Sequence, residues 1–477
     1  MKPVDKKNLI FYIALPVLGT AFLMWYIYAA GFDAVYSDYI RIINEYLPDV
    51  GDIKRLFTPD ILTRTPVYFL QRYINVKYFD YSVTFDRICS VLSVAVISAA
   101  AAVYAKREKT GLFFYVCAAG VCFSLSKWEV LLNGTSWVHV FALGCFFINF
   151  LLFDSVWKGD SDAVTELLCY VMPFLWLFIA GEYIAAYLVS MVLVSLFGAM
   201  TGGAVNYGTK RVRKVFLRIC ASTLIAGGIY VLSRSFAEWE HAGAAQMTFK
   251  ELMEYAPSFL PRFFLKSLAG TVLGAETITG FIGGKPLPDA AVYLLGAAVL
   301  AGYMCAFYVY FDNGINERSV FPLILMVEGL VSHLLILYAR WIFLNENYGM
   351  SSRYQIQFLP GITGIILVFS LYRRPERNYR QRLSEKREKI LKALMGLFAA
   401  LCLMGSVFTT YQEIKKAPYR KANYENMAQY IISRNEHTEE ELCAVLEWRK
   451  APEDLDNALN ILSENSLNVY SPRRGRR

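Results

Sequence analysis

Apolar runs close to twenty residues long recur along the whole chain, at about 9–30, 84–105, 111–127, 137–154, 164–181, 183–200, 215–235, 289–311, 319–344, 355–372 and 389–410. A hydrocarbon layer ~30 Å thick asks for about 20 apolar residues per helix. In lipid, every backbone polar group must be satisfied inside its own helix or in a closed barrel. Runs of this length and number predict an all-α polytopic membrane protein with about eleven transmembrane helices. Composition agrees: 18% of residues are charged, against about 25% in soluble domains. The stretch 164–200 is too long for one helix, so a break is expected at Gly181-Glu182.

The net charge of +8 is concentrated in short segments between apolar runs. Lys2, Lys6 and Lys7 form one cluster, Lys106, Arg107 and Lys109 a second, TKRVRK at 209–214 a third, and RRPERNYRQRLSEKREK at 373–389 a fourth. That distribution is an orientation signal rather than a nucleic-acid surface. It predicts a multi-pass protein of the cell membrane, with its amino end cytoplasmic and its carboxyl end extracytoplasmic. The amino-terminal run has a basic start and no small-residue cleavage site, and reads as a retained anchor. Residues 1–410 then form a transmembrane domain, with outward loops at 31–83 and 236–288. Residues 411–477 form a small extracytoplasmic tail with short helices in HTEEELCAVLEW and PEDLDNALNILSENS. Eight of the nine cysteines lie in apolar runs and none forms a CxxC pair, so no zinc site is visible.

The outward segments hold the candidate chemistry. YSDYIRIINEYLPD, 36–49, follows the first span and has helical apolar spacing in Tyr39, Ile42, Ile43 and Tyr46. FKELMEYAPSFLPRFFLKSLAG, from Phe249 on, has the mixed pattern of a helix lying on a membrane surface. A carboxylate at such a place can act as a general base on an acceptor hydroxyl. Asp33 and Asp38 are both near enough; Asp38, flanked by Tyr36 and Tyr39, is preferred. The plain alternative for either is a helix cap or a solvated acid. Glu182, between two apolar stretches, is either a substrate-site acid or an interfacial one. Lys127, Trp128 and Glu129 in SLSKWEVLLNGTSW mark an outward helix end, where Trp128 suits the aromatic belt and Asn133-Gly-Thr is a formal glycosylation sequon. Arg353 stands before Tyr354 and the tenth run, on the side where basic residues are least expected. Arg340 and Arg234 lie near outer span ends, and Arg262 and Lys266 in the surface-helix segment. Arginine grips phosphate bidentately, though each of these side chains can also simply snorkel.

Together, YSDYIRI, FSLSKWEVLLNGTSW, SSRYQIQ and LNILSENSLNVYS resemble a group of bacterial membrane proteins of the GT-C glycosyltransferase type, over most of the chain. That resemblance implies transfer of a sugar from a polyprenyl-phosphate donor to an outward glycan, lipid or protein acceptor, in contact with membrane lipids and without nucleic acid. It puts Asp38 in the place of the catalytic acid, with Arg353, Tyr354, Arg340, Glu182, Glu129 and Tyr36 on the substrates. Many members show two adjacent acids where this chain has Ser37-Asp38-Tyr39. A single acid suits a metal-independent base, and the sequence supports no divalent metal or other cofactor. The rival readings are a transporter or lipid-linked-sugar flippase, a polysaccharide polymerase or ligase, and a non-catalytic scaffold.

Overall fold

A computed structural model describes residues 6–47, 49–57, 66–204, 210–235, 247–280, 284–372 and 385–472. Helix α1 (Lys6–Ala30) leads into a short amphipathic α2 (Asp38–Tyr46) and α3 (Pro66–Phe79). The chain re-enters the bundle through α4 (Val83–Glu108) and α5 (Leu112–Cys122), makes a one-turn α6 (Trp128–Leu132), and continues as α7 (Trp137–Lys158), α8 (Ala163–Trp176), α9 (Ile184–Thr201) and α10 (Lys210–Arg234). A second external set, α11 (Phe249–Tyr255), α12 (Phe259–Gly270) and α13 (Ala275–Thr279), precedes α14 (Asp289–Asp312), α15 (Phe321–Arg340) and α16 (Gln355–Leu371). The 48-residue α17 (Glu385–Ile432) follows, then α18 (Glu439–Val445) and α19 (Pro452–Glu464).

Among the described residues nine helical stretches are long and apolar enough to cross a membrane, and α8 and α16 are shorter apolar helices. All eleven expected runs are therefore helical. Their outer faces are oily: Ile13, Leu224 and Met304 are each more than half exposed, as a lipid solvent permits. Helices α15 and α16 approach backbone to backbone, since a Cβ added at Gly329 would stand 2.3 Å from the Gly361 Cα. The break expected at Gly181-Glu182 is a one-turn 3-10 segment between α8 and α9, entered through Gly181 at φ 55°.

The loops separate onto two ends of the bundle. At one end buried Asp154 is paired with Arg107 and Lys158, and it accepts the Val320 and Phe321 amides at 2.7 and 3.1 Å, capping α15. The Trp157 indole donates to the Asn316 carbonyl at 2.7 Å. The loops near 155–163 and 312–318, which are not basic, thus share this end with Arg107. At the opposite end lie the described residues of 31–47, 49–57 and 66–83, α6, the α8–α9 turn, α11–α13, the 341–354 turn and the tail. The basic stretch 373–384 and the segment 236–246 lie outside the described residues. Reporter fusions at Asp52 and Glu439 are expected to read extracytoplasmic and a fusion at Lys210 cytoplasmic; Asp52 and Lys210 on one side would remove the outward site.

The composition-based boundary at 410/411 falls inside α17, whose ~72 Å length far exceeds the ~30 Å hydrocarbon layer. Beyond the membrane it continues along one buried face, through Ala417, Tyr424, Met427, Ala428 and Ile431. The tail helices α18 and α19 form where the sequence puts them, and they pack back on the first external loop. Ser37 N–H donates to the Leu446 carbonyl at 2.8 Å, Asn44 to the Asp454 carbonyl at 2.8 Å, and Asn468 to the Tyr81 carbonyl at 2.8 Å.

Candidate functional site

Two carboxylates follow the end of α1, and they differ in their bonding. Asp33 accepts from the Val83 amide at 2.6 Å, the Thr84 amide at 3.3 Å and the Ser82 hydroxyl at 2.8 Å. It caps α4, whose first amides have no partner within the helix. Asp33→Ala is expected to cost about 1.5–3 kcal/mol, the range for a charge-assisted hydrogen bond, read as a lower midpoint in thermal unfolding in detergent.

Asp38 is half-buried in the first turn of α2, where the helix dipole favours a carboxylate. Among the described residues it has neither a hydrogen bond nor a salt bridge, although its charge reaches Arg353. Its setting is nevertheless fixed. Tyr39, Ile40, Ile42, Ile43 and Tyr46 bury the other face of α2. The Tyr39 hydroxyl donates at 2.9 Å to Asp86 of α4, a carboxylate that also takes Asn75 at 2.9 Å and Gln71. Ser37, just before Asp38, sits at φ 50° and ψ −124°, a backbone region that side-chain-bearing residues rarely occupy, and its bond to Leu446 holds it there.

Arg353 approaches from the turn before α16. Its Nε pairs with the Glu129 carboxylate, and the Ser352 hydroxyl donates to the other Glu129 oxygen at 2.9 Å. Its terminal nitrogens carry no bond among the described residues, and the side chain is 53% exposed. The recess by itself would lower the Arg353 pKa; Glu129, with a weaker contribution from Asp38, more than offsets that and raises it. Glu129 owes its position to the turn after α5, where buried Lys127 donates to the Ser124 carbonyl at 2.8 Å and the Val121 carbonyl at 3.3 Å, satisfying the end of α5.

Tyr354 is buried beside Arg353. The Arg340 guanidinium lies 5.6 Å from the Tyr354 ring centre and 5.9 Å from that of Phe343. Burial raises the Tyr354 phenol pKa, Arg340 and Arg353 pull it back, and Glu182 pushes it up again. Glu182 therefore faces this same end. Tyr36 is buried with its hydroxyl 3.2 Å from that of Tyr424 on α17, and burial, then Tyr424, raises its pKa. The remaining cations are occupied nearby: Arg262 pairs with Glu346 at 3.0 Å, and Lys266 with Asp289 at 3.0 Å.

The sequence reading missed the continuation of α17 past residue 410. Glu413, Ala417, Arg420 and Tyr424 follow one another at helical spacing in YQEIKKAPYRKANY. Arg420 forks onto Glu413, which also accepts from the Tyr26 hydroxyl at 2.9 Å. The guanidinium stacks 3.1 Å above the Trp128 ring. Trp128, expected as a belt residue, is thus the platform for one arginine while its neighbour Glu129 holds another. Asn133 of the formal sequon is turned inward and accepts from the Thr135 amide and hydroxyl at 3.2 and 2.8 Å. Among the described residues no three His, Cys, Asp or Glu side chains are grouped to hold a metal ion. The result, among the described residues, is one end of the bundle at which a carboxylate without a hydrogen bond, a guanidinium with unbonded terminal nitrogens and buried tyrosines come together. No family model, no curated protein and no solved structure matches the chain.

Proposed function

We propose that the chain is an integral-membrane glycosyltransferase of the GT-C type, with eleven spans, a cytoplasmic amino end and an extracytoplasmic tail. It moves a sugar from a polyprenyl-phosphate donor to an outward glycan, lipid or protein acceptor. The observation that carries this reading is the contrast between Asp33 and Asp38. Asp33 is consumed by a helix cap, whereas Asp38 has no structural bond among the described residues and shares its recess with Arg353.

In this reading Asp38 takes the proton of the acceptor hydroxyl as that oxygen attacks the anomeric carbon. The new carbon–oxygen bond forms on the face opposite the breaking one, so the sugar is inverted. The leaving polyprenyl phosphate carries away the bonding electrons, and the terminal nitrogens of Arg353 meet its growing charge. Arg340 adds a second cation behind Tyr354, and Tyr36, Glu129 and Glu182 line the acceptor and donor sides. Purified protein incubated with radiolabelled polyprenyl-phosphate sugars is expected to transfer label to an envelope acceptor extract. Absence of transfer from every donor sugar, with folded protein, would overturn the reading.

A further inference from the structure

A second acid, remote from the outward recess, lies inside the membrane-embedded bundle. Glu328 is the eighth residue of α15, about 10 Å along the helix from its Phe321 end. It is 2% exposed, and its Oε2 is buried with no hydrogen-bond partner among the described residues. An ionised side chain at such depth is costly even on insertion scales, and buried charges elsewhere are paired.

The surroundings offer no counter-ion. Helix α16 contains no titratable side chain, and α9 presents only Tyr187, which feels the Glu328 charge but gives its hydroxyl proton to Asn149 at 2.7 Å. The Tyr303 hydroxyl of α14 lies against Gly329 and Gly361 and has no partner of its own. On α7, Asp154 and Lys158 are paired at the inner end and His139 stacks on Tyr183. On α12, Arg262 and Lys266 are held by Glu346 and Asp289. His333, also on α15, stacks 3.7 Å from Phe358, and its Nδ1 lies 2.9 Å from the Ser267 hydroxyl. That hydroxyl donates to the Phe264 carbonyl at 2.8 Å, so it accepts from His333 and leaves Nε2 as an unpartnered acceptor.

We infer that Glu328 is a proton-binding site in the core of the bundle, its ligand a single exchangeable proton. A metal cation needs several oxygen ligands, and no such group exists among the described residues. The tight Gly329–Gly361 crossing beside it leaves α15 and α16 in backbone contact. The neutral acid fits this packing as it stands. The anion requires water or a shift of α15 against α9 to be solvated. This inference does not depend on the glycosyltransferase reading.

The test is infrared spectroscopy of the protein in lipid over the pH range in which it stays folded, with E328Q and E328D alongside. The wild-type protein is expected to show a protonated-carboxyl C=O band that E328Q lacks and E328D shifts. Above its midpoint the band should weaken about tenfold per pH unit, as one uncoupled proton requires. No band at any pH would mean a permanently ionised carboxylate, and a band indifferent to pH would mean a neutral group that exchanges nothing; either overturns the inference. Should E328Q fail to fold, the wild-type titration and the band shift in E328D decide the same question.

Discussion

Asp38→Asn is expected to lower sugar transfer by roughly 10²–10⁴-fold, the range for removing a general base, while the yield and thermal midpoint of the protein stay at the wild-type level. Asparagine matches aspartate in size and differs in having no basic oxygen to accept a proton. Asp38 makes no hydrogen bond or ion pair among the described residues, so little beyond its favourable place at the start of α2 is lost with its charge. Its neighbours behave differently. Glu45 pairs with Arg41 at 2.8 Å and Asp49 with Arg55 at 2.8 Å, both near the surface. Glu45→Gln and Asp49→Asn should therefore cost little in either activity or stability. Equal losses at all three positions would point to an acidic cluster and predict sensitivity to EDTA. Full activity in Asp38→Asn would sink the assignment.

The second large effect is expected at Arg353. Its Nε is committed to Glu129 and its two terminal nitrogens have no partners among the described residues, so one half-exposed planar group both anchors itself and offers a fork. A cation that meets charge on the leaving phosphate contributes more in the transition state than on binding. Arg353→Ala should lower turnover by roughly 10²–10³-fold at saturating donor, the range for removing one preorganised donor to a developing charge. Arg353→Lys should stay clearly impaired, because an ammonium is a compact point charge that lacks the planar fork needed to hold Glu129 on one edge and meet phosphate on the other. Wild-type turnover in Arg353→Lys would mean that the side chain only snorkels to the lipid surface.

Much of this architecture is legible in local pattern. Eleven apolar runs correspond to eleven helices, nine long and two shorter. The spacing of Tyr39, Ile42, Ile43 and Tyr46 appears as the buried face of α2, and the Gly181-Glu182 break as a turn. What pattern did not reveal has physical causes. Past residue 410 the helix continues while its hydropathy falls, because Glu413 and Arg420 neutralise each other inside the protein instead of facing water. Glu328 and His333 are submerged in FPLILMVEGLVSHLLILY, where apolar neighbours dominate any average. Asp33 and Asp38 look alike in sequence; only the three groups donating to Asp33, from residues about fifty positions on, tell them apart.

The outward recess closes through pairs at the extremes of the chain. Tyr36 meets Tyr424 across 388 residues, Tyr26 meets Glu413 across 387, and the strained turn before Asp38 rests on Leu446. At a synthesis rate of roughly 5–20 residues per second, the first partner waits some 20–80 s for the second to emerge. Throughout that interval Tyr36 lacks its contact on α17 and Ser37 its bond to Leu446. Competence arrives last, when α17 has crossed and its outer half folds down. A ribosome that stalls before that point releases a chain whose α2 lacks the contacts that set Asp38 in place.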